Sequence, residues 1–279
     1  MYLAYNTNGL AHHRLEDAFR LLADLGYGGV ALTPDVCHLD PFATDERDWA
    51  KARALLERLG LKCVIETGAR YVLDPKRKHW PNLLSRDAAA ALRRMDFYRR
   101  CMSMAKTLGA ELISIWSGPL EPGDDPEAAF KRLLERLPRL LDEALKTGVM
   151  VCCEPEPGHL IDGHARYREL RQRLGREDLM TTIDIGHLIV TEPGAPHDHL
   201  AEFASSLRNV QVDDARRGIH EHLVPGAGEI DFAPVFAELH RIGYRGPVAL
   251  ELSRDSHRAA EVAAASFKAL APLLQGVSR

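Results

Sequence analysis

The strongest constraint on the fold is a repeated pattern in which an amphipathic segment ends in glycine just before a short apolar run. The pattern occurs four times, at Leu25-Gly26, Leu59-Gly60, Leu108-Gly109 and Thr147-Gly148. Glycine often ends an α-helix because it adopts a left-handed backbone conformation at no steric cost. A helix that ends directly before a strand is the short connection of a repeating β/α unit.

Eight apolar runs are predicted to be strands. They are rich in Val, Ile and Leu without strict alternation, which is typical of strands buried on both faces. The predicted strands are Tyr2–Asn6, Gly29–Leu32, Lys62–Ile65, Glu111–Trp116, Val149–Glu154, Met180–Asp184, Asn209–Asp213 and Pro247–Glu251. The clearest amphipathic helices are predicted at Leu15–Gly26, Glu46–Gly60, Arg86–Gly109, Pro126–Gly148 and Phe232–Gly243.

Eight β/α units indicate a closed barrel. A (β/α)₈ barrel needs about 250 residues as one domain, and this chain has 279 residues. A doubly wound sheet should carry a phosphate-binding glycine loop after an early strand, and the sequence has neither G-x-G-x-x-G nor a P-loop pattern. We therefore predict the α/β class and a single TIM barrel over residues 1–279.

Composition argues against several classes of partner. The 36 Lys and Arg against 40 Asp and Glu give a net charge of −4, which offers no electrostatic reason to expect nucleic acid. No apolar run approaches the 18 residues of a membrane span, and the N-terminus does not read as a signal peptide. The five cysteines lack paired C-x-x-C spacing and suit reduced thiols. We expect a cytoplasmic protein without a membrane partner.

Three acidic residues, Glu154, Asp184 and Glu251, each end an apolar run. His187 follows Asp184 by three residues. A single acid at a strand end is commonly a helix N-cap, but barrel closure would bring these three to one rim. Buried carboxylates need compensation, which one divalent metal ion supplies. Carboxylate and imidazole ligands suit Mn²⁺, our first expectation, or Mg²⁺, Co²⁺ or Zn²⁺.

Several segments carry a family resemblance. The sequences Cys153-Glu154-Pro155, Asp184-Ile185-Gly186-His187, Pro225–Asp231 and Leu250-Glu251-Leu252 resemble the sugar phosphate isomerase/epimerase superfamily of xylose isomerase-like TIM barrels. The superfamily also includes ketose 3-epimerases, hydroxypyruvate isomerase, inosose dehydratase and endonuclease IV. The resemblance covers most of the chain. It implies a sugar or sugar-like substrate and a homodimer or homotetramer.

The resemblance also implies a set of metal ligands. Glu154, Asp184 and Glu251 match three of the superfamily's four ligands. The fourth is usually a histidine on the seventh strand, and Gln211 stands in its place here. An amide oxygen binds a hard cation more weakly than imidazole does and disfavours zinc.

Further residues are candidates for substrate contact. In epimerase relatives the equivalent of His187 contacts substrate, whereas in the endonuclease branch it binds a second metal. His220 and His222 raise the same question, so these three histidines are candidate ligands of a second ion. Trp116 and Glu66 end strands, and His222 and Arg217 lie in a polar loop with Arg216. The arginines could neutralise a substrate anion or be exposed loop charges. The loop Gly68–Trp80 could cover the rim as a lid, although its basic run Lys76-Arg77-Lys78 could simply be a solvated turn.

The resemblance implies a metal-dependent isomerase or epimerase of a ketose or related sugar, phosphorylated or not. Proton transfer would pass through an enediolate, with Glu154 and Glu251 as the acid/base pair. One alternative is a lyase or dehydratase acting on a keto-sugar or inositol derivative. Another is an endonuclease IV-like phosphodiesterase, which Trp116 at a ligand-histidine position and the negative charge disfavour. A third is a non-catalytic metal- or sugar-binding barrel, for which Gln211 is the best argument.

Overall fold

The computed structural model describes residues 1–275. Within them, eight parallel strands close into a barrel in the order β1-β10-β7-β6-β5-β4-β3-β2. The barrel strands are β1 (Tyr2–Asn6), β2 (Gly29–Leu32), β3 (Lys62–Glu66), β4 (Leu112–Trp116), β5 (Met150–Glu154), β6 (Leu179–Asp184), β7 (Leu207–Val212) and β10 (Pro247–Leu250). Strands β8 (Asp214–Arg216) and β9 (Ile219–Leu223) pair as an antiparallel hairpin.

Helices surround the barrel. They are α1 (Leu15–Leu25), α2 (Glu46–Leu59), α3 (Ala88–Leu108), α4 (Pro126–Thr147), α5 (His164–Leu174), α6 (Ile185–Thr191), α7 (Phe232–Arg241) and α8 (Ala259–Leu270). The glycine signal at helix ends is confirmed, because Gly26 and Gly60 follow α1 and α2 with φ of 96° and 68°. Their backbone N–H groups cap the last turns of those helices.

The predicted (β/α)₈ barrel is confirmed, and each predicted strand begins and ends within about two residues of an observed one. Helices α5, α6 and α8 are not among the five predicted helices. Helix α5 has only three buried residues, His164, Tyr167 and Leu170, so it has no clear apolar stripe. Helix α6 is only 7 residues long and largely buried. The polar loop expected after β7 instead forms the β8–β9 hairpin.

The side chains that fill the barrel interior are apolar in one layer and polar in the next. One apolar cluster, separate from the main core, consists of Ala4, Ala31, Val64, Leu112, Cys152 and Ala249. Alternate residues of a strand share a face, so the next inward positions of four strands are Asn6, Glu66, Glu154 and Glu251. The apolar residues thus form a lower layer toward the N-terminal ends of the strands. The polar residues form an upper layer at the C-terminal ends. At the opposite, N-terminal end the barrel opens into a cavity of about 680 Å³ beside Tyr2, Val64 and Leu112.

Asp214 anchors the hairpin to the chain that follows it. Its carboxylate accepts hydrogen bonds from the backbone N–H groups of Gly226, Gly228 and Ile230 at 2.9–3.0 Å. The side chain is fully buried, and its other partner is the N–H of Ala215. The hairpin also packs against α6, which places β9 beside the C-terminal ends of β5 and β6.

Two expectations from composition concern the described residues. All five cysteines are free. In residues 1–275 we find no helix with the length and apolarity that crossing a membrane requires. The predicted domain, 1–279, includes residues 276–279, which lie outside the described part.

Candidate active site

The three strand-end acids meet at the C-terminal rim of the barrel. Glu154, Asp184 and Glu251 each offer a carboxylate oxygen, and these oxygens lie within 4.8 Å of one another. Glu154 and Asp184 are each only 2% exposed. Burial and the neighbouring carboxylates of Glu66, Glu156 and Glu251 raise the pKa of Glu154 well above its usual range. This concentration of buried negative charge is what a divalent cation compensates.

Asp184 is both a helix cap and a candidate ligand. Its Oδ1 accepts hydrogen bonds from the backbone N–H groups of Gly186 (2.7 Å) and His187 (3.2 Å) at the start of α6. Its Oδ2 is buried and has no hydrogen-bond partner among residues 1–275, and the same holds for Oε1 of Glu154. Unpartnered buried oxygens are costly, so a set of them facing one another fits a metal ion.

Gln211 lies beside Asp184, and its predicted role as the fourth metal ligand stays a prediction. It lies on β7, in register with Asp184 on the neighbouring strand β6. Its Nε2 donates a 2.5 Å hydrogen bond to Oε2 of Glu66. Its Oε1 is buried without a partner in the described chain. Glu66, predicted to face the site, is 3% exposed, and burial and Glu251 raise the pKa of Glu66 well above its ordinary value.

Three imidazoles form a second group beside the acids. Ring nitrogens of His187, His220 and His222 lie within 4.8 Å of one another, and the ring of His187 is 4.9 Å from that of His220 and 6.0 Å from that of His222. Nδ1 of His187 is 3.4 Å from Oε1 of Glu154. Glu156 approaches the Nε2 atoms of His187 and His220 at 3.9 and 3.8 Å. The predicted second-metal ligands are therefore neighbours, and their role stays a prediction.

An ion pair links the hairpin to the end of β7. His222 Nδ1 bonds Oδ2 of Asp213, which is fully buried. Burial lowers the pKa of His222, but the carboxylates of Asp213, Glu251 and Asp184 outweigh it and raise that pKa to about 10. Gly186 packs against Asp213 so closely that a Cβ atom at position 186 would overlap the carboxylate. This contact explains why glycine is required at that position of α6.

Trp116 lies at the rim but is enclosed. It is 3% exposed, and its ring lies 5.3 Å from that of His79 and 5.0 Å from that of His159. Burial, with nearby cations, lowers the pKa of both histidines to about 3, so both are neutral near pH 7. The guanidinium of Arg94 lies 4.9 Å from the Trp116 ring centroid. Trp116 is therefore enclosed by these side chains, and its predicted substrate contact stays a prediction.

The long loop between β3 and α3 is held at the rim from two sides. Arg70 donates from Nη2 to the carbonyl of Ser253, two residues beyond Glu251. Buried Arg94 donates to the carbonyls of Pro81 (2.7 Å) and His79 (3.0 Å). These contacts hold the two ends of the loop, while Lys76, Arg77 and Lys78 between them are exposed, as expected of a solvated turn. A role of the loop as a lid stays a prediction.

Arg217 lies at the surface, where it is bonded to backbone carbonyl groups. Its guanidinium donates to the backbone carbonyls of Glu192 (3.3 Å) and Gly194 (2.6 Å), and Arg216 pairs with Glu221. Both arginines are exposed. These contacts fit the exposed-charge interpretation of both arginines, and the substrate contact of Arg217 stays a prediction.

Three residues of the site are missing from the sequence-based set. Glu156 lies two residues after Glu154 and contacts two histidines, as described above. Asp213 is the last residue of the predicted strand Asn209–Asp213, so the signal that found Glu154 and Asp184 applies to it as well. Asn8, whose Nδ2 donates to Oε1 of Glu251 at 2.9 Å, gave no such signal, because it lies in a short 3₁₀ turn after β1.

The family follows from a comparison with known proteins. The model of the xylose isomerase-like TIM barrel family matches residues 19–273. The chain belongs to this family. One relative, L-ribulose-5-phosphate 3-epimerase UlaE of Salmonella paratyphi C, is 24% identical over 261 residues, with 89% of this chain and 86% of UlaE covered. Ketose 3-epimerase of Arthrobacter globiformis is 26% identical over 222 residues, covering 76% of this chain and 70% of its own.

Solved structures share the fold. D-allulose 3-epimerase from Methylomonas sp. superposes with a TM-score of 0.79 at 17% sequence identity, covering 98% of both chains. The IOLI protein, solved with a bound zinc atom, superposes with a TM-score of 0.79 at 18% identity over 100% of both chains. At these identities the likeness shows the family fold, and substrate and metal must be argued from the residues.

Proposed function

We propose that this chain is a divalent-metal-dependent epimerase that inverts a carbon next to the carbonyl group of a ketose or ketose phosphate. The observation that carries the proposal is the convergence of Glu154, Asp184 and Glu251, with partnerless buried oxygens on two of them. The sugar epimerases among the relatives support the reaction class, since UlaE is named for inversion at C3 of a ketose phosphate.

Four side chains would hold the ion: the three acids and Gln211 through its amide oxygen. When bound, a divalent cation would stabilise negative charge on the carbonyl and neighbouring hydroxyl oxygens of the ketose. Oxygen donors favour hard cations, so we expect Mn²⁺, with Mg²⁺ as the nearest substitute. Co²⁺ and Zn²⁺ are weaker expectations, because the amide oxygen stands where the family usually has imidazole.

Glu154 and Glu251 supply the proton transfers. They project from β5 and β10, which β6 and β7 separate in the barrel order, so they reach a substrate between them from different sides. One carboxylate accepts the proton from the carbon next to the carbonyl. The C–H electron pair becomes the C=C bond of an enediolate, and the π pair of the carbonyl moves onto its oxygen. The other, in its acid form, returns a proton to the opposite face of that carbon. Return to the neighbouring carbon instead would give isomerisation.

Other residues of the rim would orient the sugar. His187, His222 and Glu66 border the acids and remain our candidates for hydrogen bonds to hydroxyl groups, while Trp116 shapes the wall. The second-metal role of His187, His220 and His222 is the alternative use of the same imidazoles. Titration of bound metal per chain distinguishes the two uses, because one equivalent leaves these histidines to the substrate.

The decisive experiment is a panel of keto-sugars and keto-sugar 5-phosphates incubated with Mn²⁺ in D₂O and followed by NMR. Deuterium at C3 together with the inverted product supports the proposal. Deuterium at C1 or C2 with an aldose product would indicate an isomerase, and loss of water from the sugar would indicate the lyase alternative. Metal binding without exchange into any sugar would support a non-catalytic binding barrel.

A further inference from the structure

The hydrogen bond between Gln211 and Glu66 spans the barrel. In the closed order of strands, β7 and β3 lie on opposite sides, with three strands between them in each direction. Their side chains nevertheless meet at 2.5 Å, from Nε2 of Gln211 to Oε2 of Glu66. Gln211 is 0% exposed and Glu66 is 3% exposed. The contact therefore lies inside the polar upper layer of the barrel.

This bond fixes which end of the amide faces the acids. A side-chain amide has a nitrogen that only donates and an oxygen that only accepts. With the nitrogen committed to Glu66, the oxygen Oε1 is turned away from it. That oxygen is buried and has no hydrogen-bond partner among residues 1–275, and neither has Oδ2 of Asp184 on the adjacent strand. The two unpartnered oxygens belong to residues paired in register.

We propose that Glu66 is a positioning residue that orients the Gln211 amide so that its oxygen binds the metal ion. The inference rests on the metal-dependent function proposed above and deepens it. Without an acceptor at position 66, the amide can rotate and present its nitrogen, which has no lone pair available for a cation. The pair Glu66–Gln211 therefore lets an amide serve where the family usually has a histidine, and it completes an all-oxygen ligand set.

Two other roles for Glu66 are conceivable, and each predicts a different result. As a direct ligand, or as a negative charge that attracts the ion over a distance, Glu66 would act independently of Gln211. As a positioning residue it acts only through the amide. A double-mutant cycle separates these cases, because the effect of changing Glu66 must vanish once Gln211 is gone.

The test measures Mn²⁺ binding by titration calorimetry in the wild type, Glu66→Leu, Gln211→Leu and the double variant. We expect Glu66→Leu to weaken Mn²⁺ binding about 10-fold or more, as is common for residues that orient ligands. In the Gln211→Leu background the same change should leave the affinity within about twofold. A second cycle with the isosteric Glu66→Gln, expected to weaken binding less, keeps the test available should Glu66→Leu not fold. Circular dichroism identifies the variants that fold.

Equal losses from the Glu66 change in both backgrounds would overturn the inference in favour of a ligand or long-range charge. Unchanged Mn²⁺ affinity in both single Glu66 variants would overturn it as well. Failure of the proposed function is a separate result: the wild type would bind Mn²⁺ and pass the cycle, yet exchange no deuterium into any ketose. A wild type that binds no divalent ion would overturn the metal site and this inference together.

Discussion

The side-chain amide of Asn8 donates a 2.9 Å hydrogen bond to Oε1 of Glu251. It connects the turn after the first strand of the barrel to the end of the last. The backbones of β1 and β10 are already paired, so the bond adds a side-chain link at the rim where the acids meet. The bond holds one oxygen of Glu251, so we expect the other oxygen to be the one that binds a ligand.

Replacing Asn8 tests that role. We expect Asn8→Ala to lower kcat/KM about 10-fold, because a hydrogen bond to a charged group is lost. Asn8→Asp should lower it further, since a second carboxylate would face Glu251. Steady-state kinetics on the ketose identified above, with melting temperatures as a check on folding, provide the measurement. Wild-type activity in Asn8→Asp would show that Asn8 does not orient the carboxylate.

Removing the charge of either proposed acid/base residue should abolish proton transfer. We expect Glu154→Gln and Glu251→Gln each to lower turnover about 100-fold or more, because an amide cannot exchange the proton. Glu111→Gln, at the exposed residue just before β4 at the opposite end of the barrel, is the matched control and should retain activity. Full turnover in both site variants would exclude the assignment.

Replacing Gly186 with alanine should disturb the site through its contact with Asp213. Gly186→Ala forces its Cβ against the Asp213 carboxylate, so the ion pair with His222 must shift. We expect a loss of about 1–3 kcal/mol in the free energy of unfolding together with loss of activity. Gly68→Ala is the control, since a Cβ there meets nothing closer than 3.8 Å. Equal urea midpoints for the two variants would contradict the packing argument.

His159 should make the fold sensitive to acid. Burial, with His187, His220 and Arg94 nearby, lowers the pKa of His159 to about 3, whereas an unfolded histidine titrates near 6.5. Between these values the unfolded chain binds a proton that the folded chain does not. Stability is therefore unaffected by this group above pH 6.5 and falls as the pH drops from 6.5 toward 3.

Urea unfolding at pH 7.5 and 5.0, in EDTA, measures this effect. His159→Gln cannot titrate, so we expect it to lose about 2 kcal/mol less than the wild type between the two pH values. His257→Gln, at an exposed position, is the control and should follow the wild type. The same pH dependence in the wild type and His159→Gln would refute the prediction.

The fold was predictable because its signals are local. Each parallel strand is one apolar run, and glycines such as Gly26 and Gly60 mark the helix ends, so neither signal requires knowledge of distant residues. Helix α5 was not predicted because only three of its residues, His164, Tyr167 and Leu170, are buried, which is too few to give a clear apolar stripe. The β8–β9 hairpin was predicted as a polar loop for a related reason. Its strands are short and carry polar residues such as Arg216 and His220, so they lack the apolar run that indicates a strand.

The site was predictable only where the residues that form it end strands. Glu154, Asp184 and Glu251 converge by barrel closure alone, so one rule locates all three. The partners that orient them do not follow from any such rule. Asn8 is 243 positions from Glu251, and Glu66 meets Gln211 across 145 positions. Both contacts depend on side-chain rotamers that only the assembled barrel determines.

The β8–β9 hairpin carries two histidines of the candidate site but lies outside the closed barrel. His220 and His222 lie on a ten-residue excursion, Asp214–Leu223, whose strands pair with each other and with no barrel strand in the described chain. Asp214 fastens it to the following turn without using a barrel ladder. A change at His220 can therefore alter the rim without touching a barrel ladder, whereas a change at His222 would leave the buried carboxylate of Asp213 without its ion-pair partner. The imidazoles of the rim are thus carried by a segment outside the barrel ladder, and two buried carboxylates, Asp213 and Asp214, hold that segment in place.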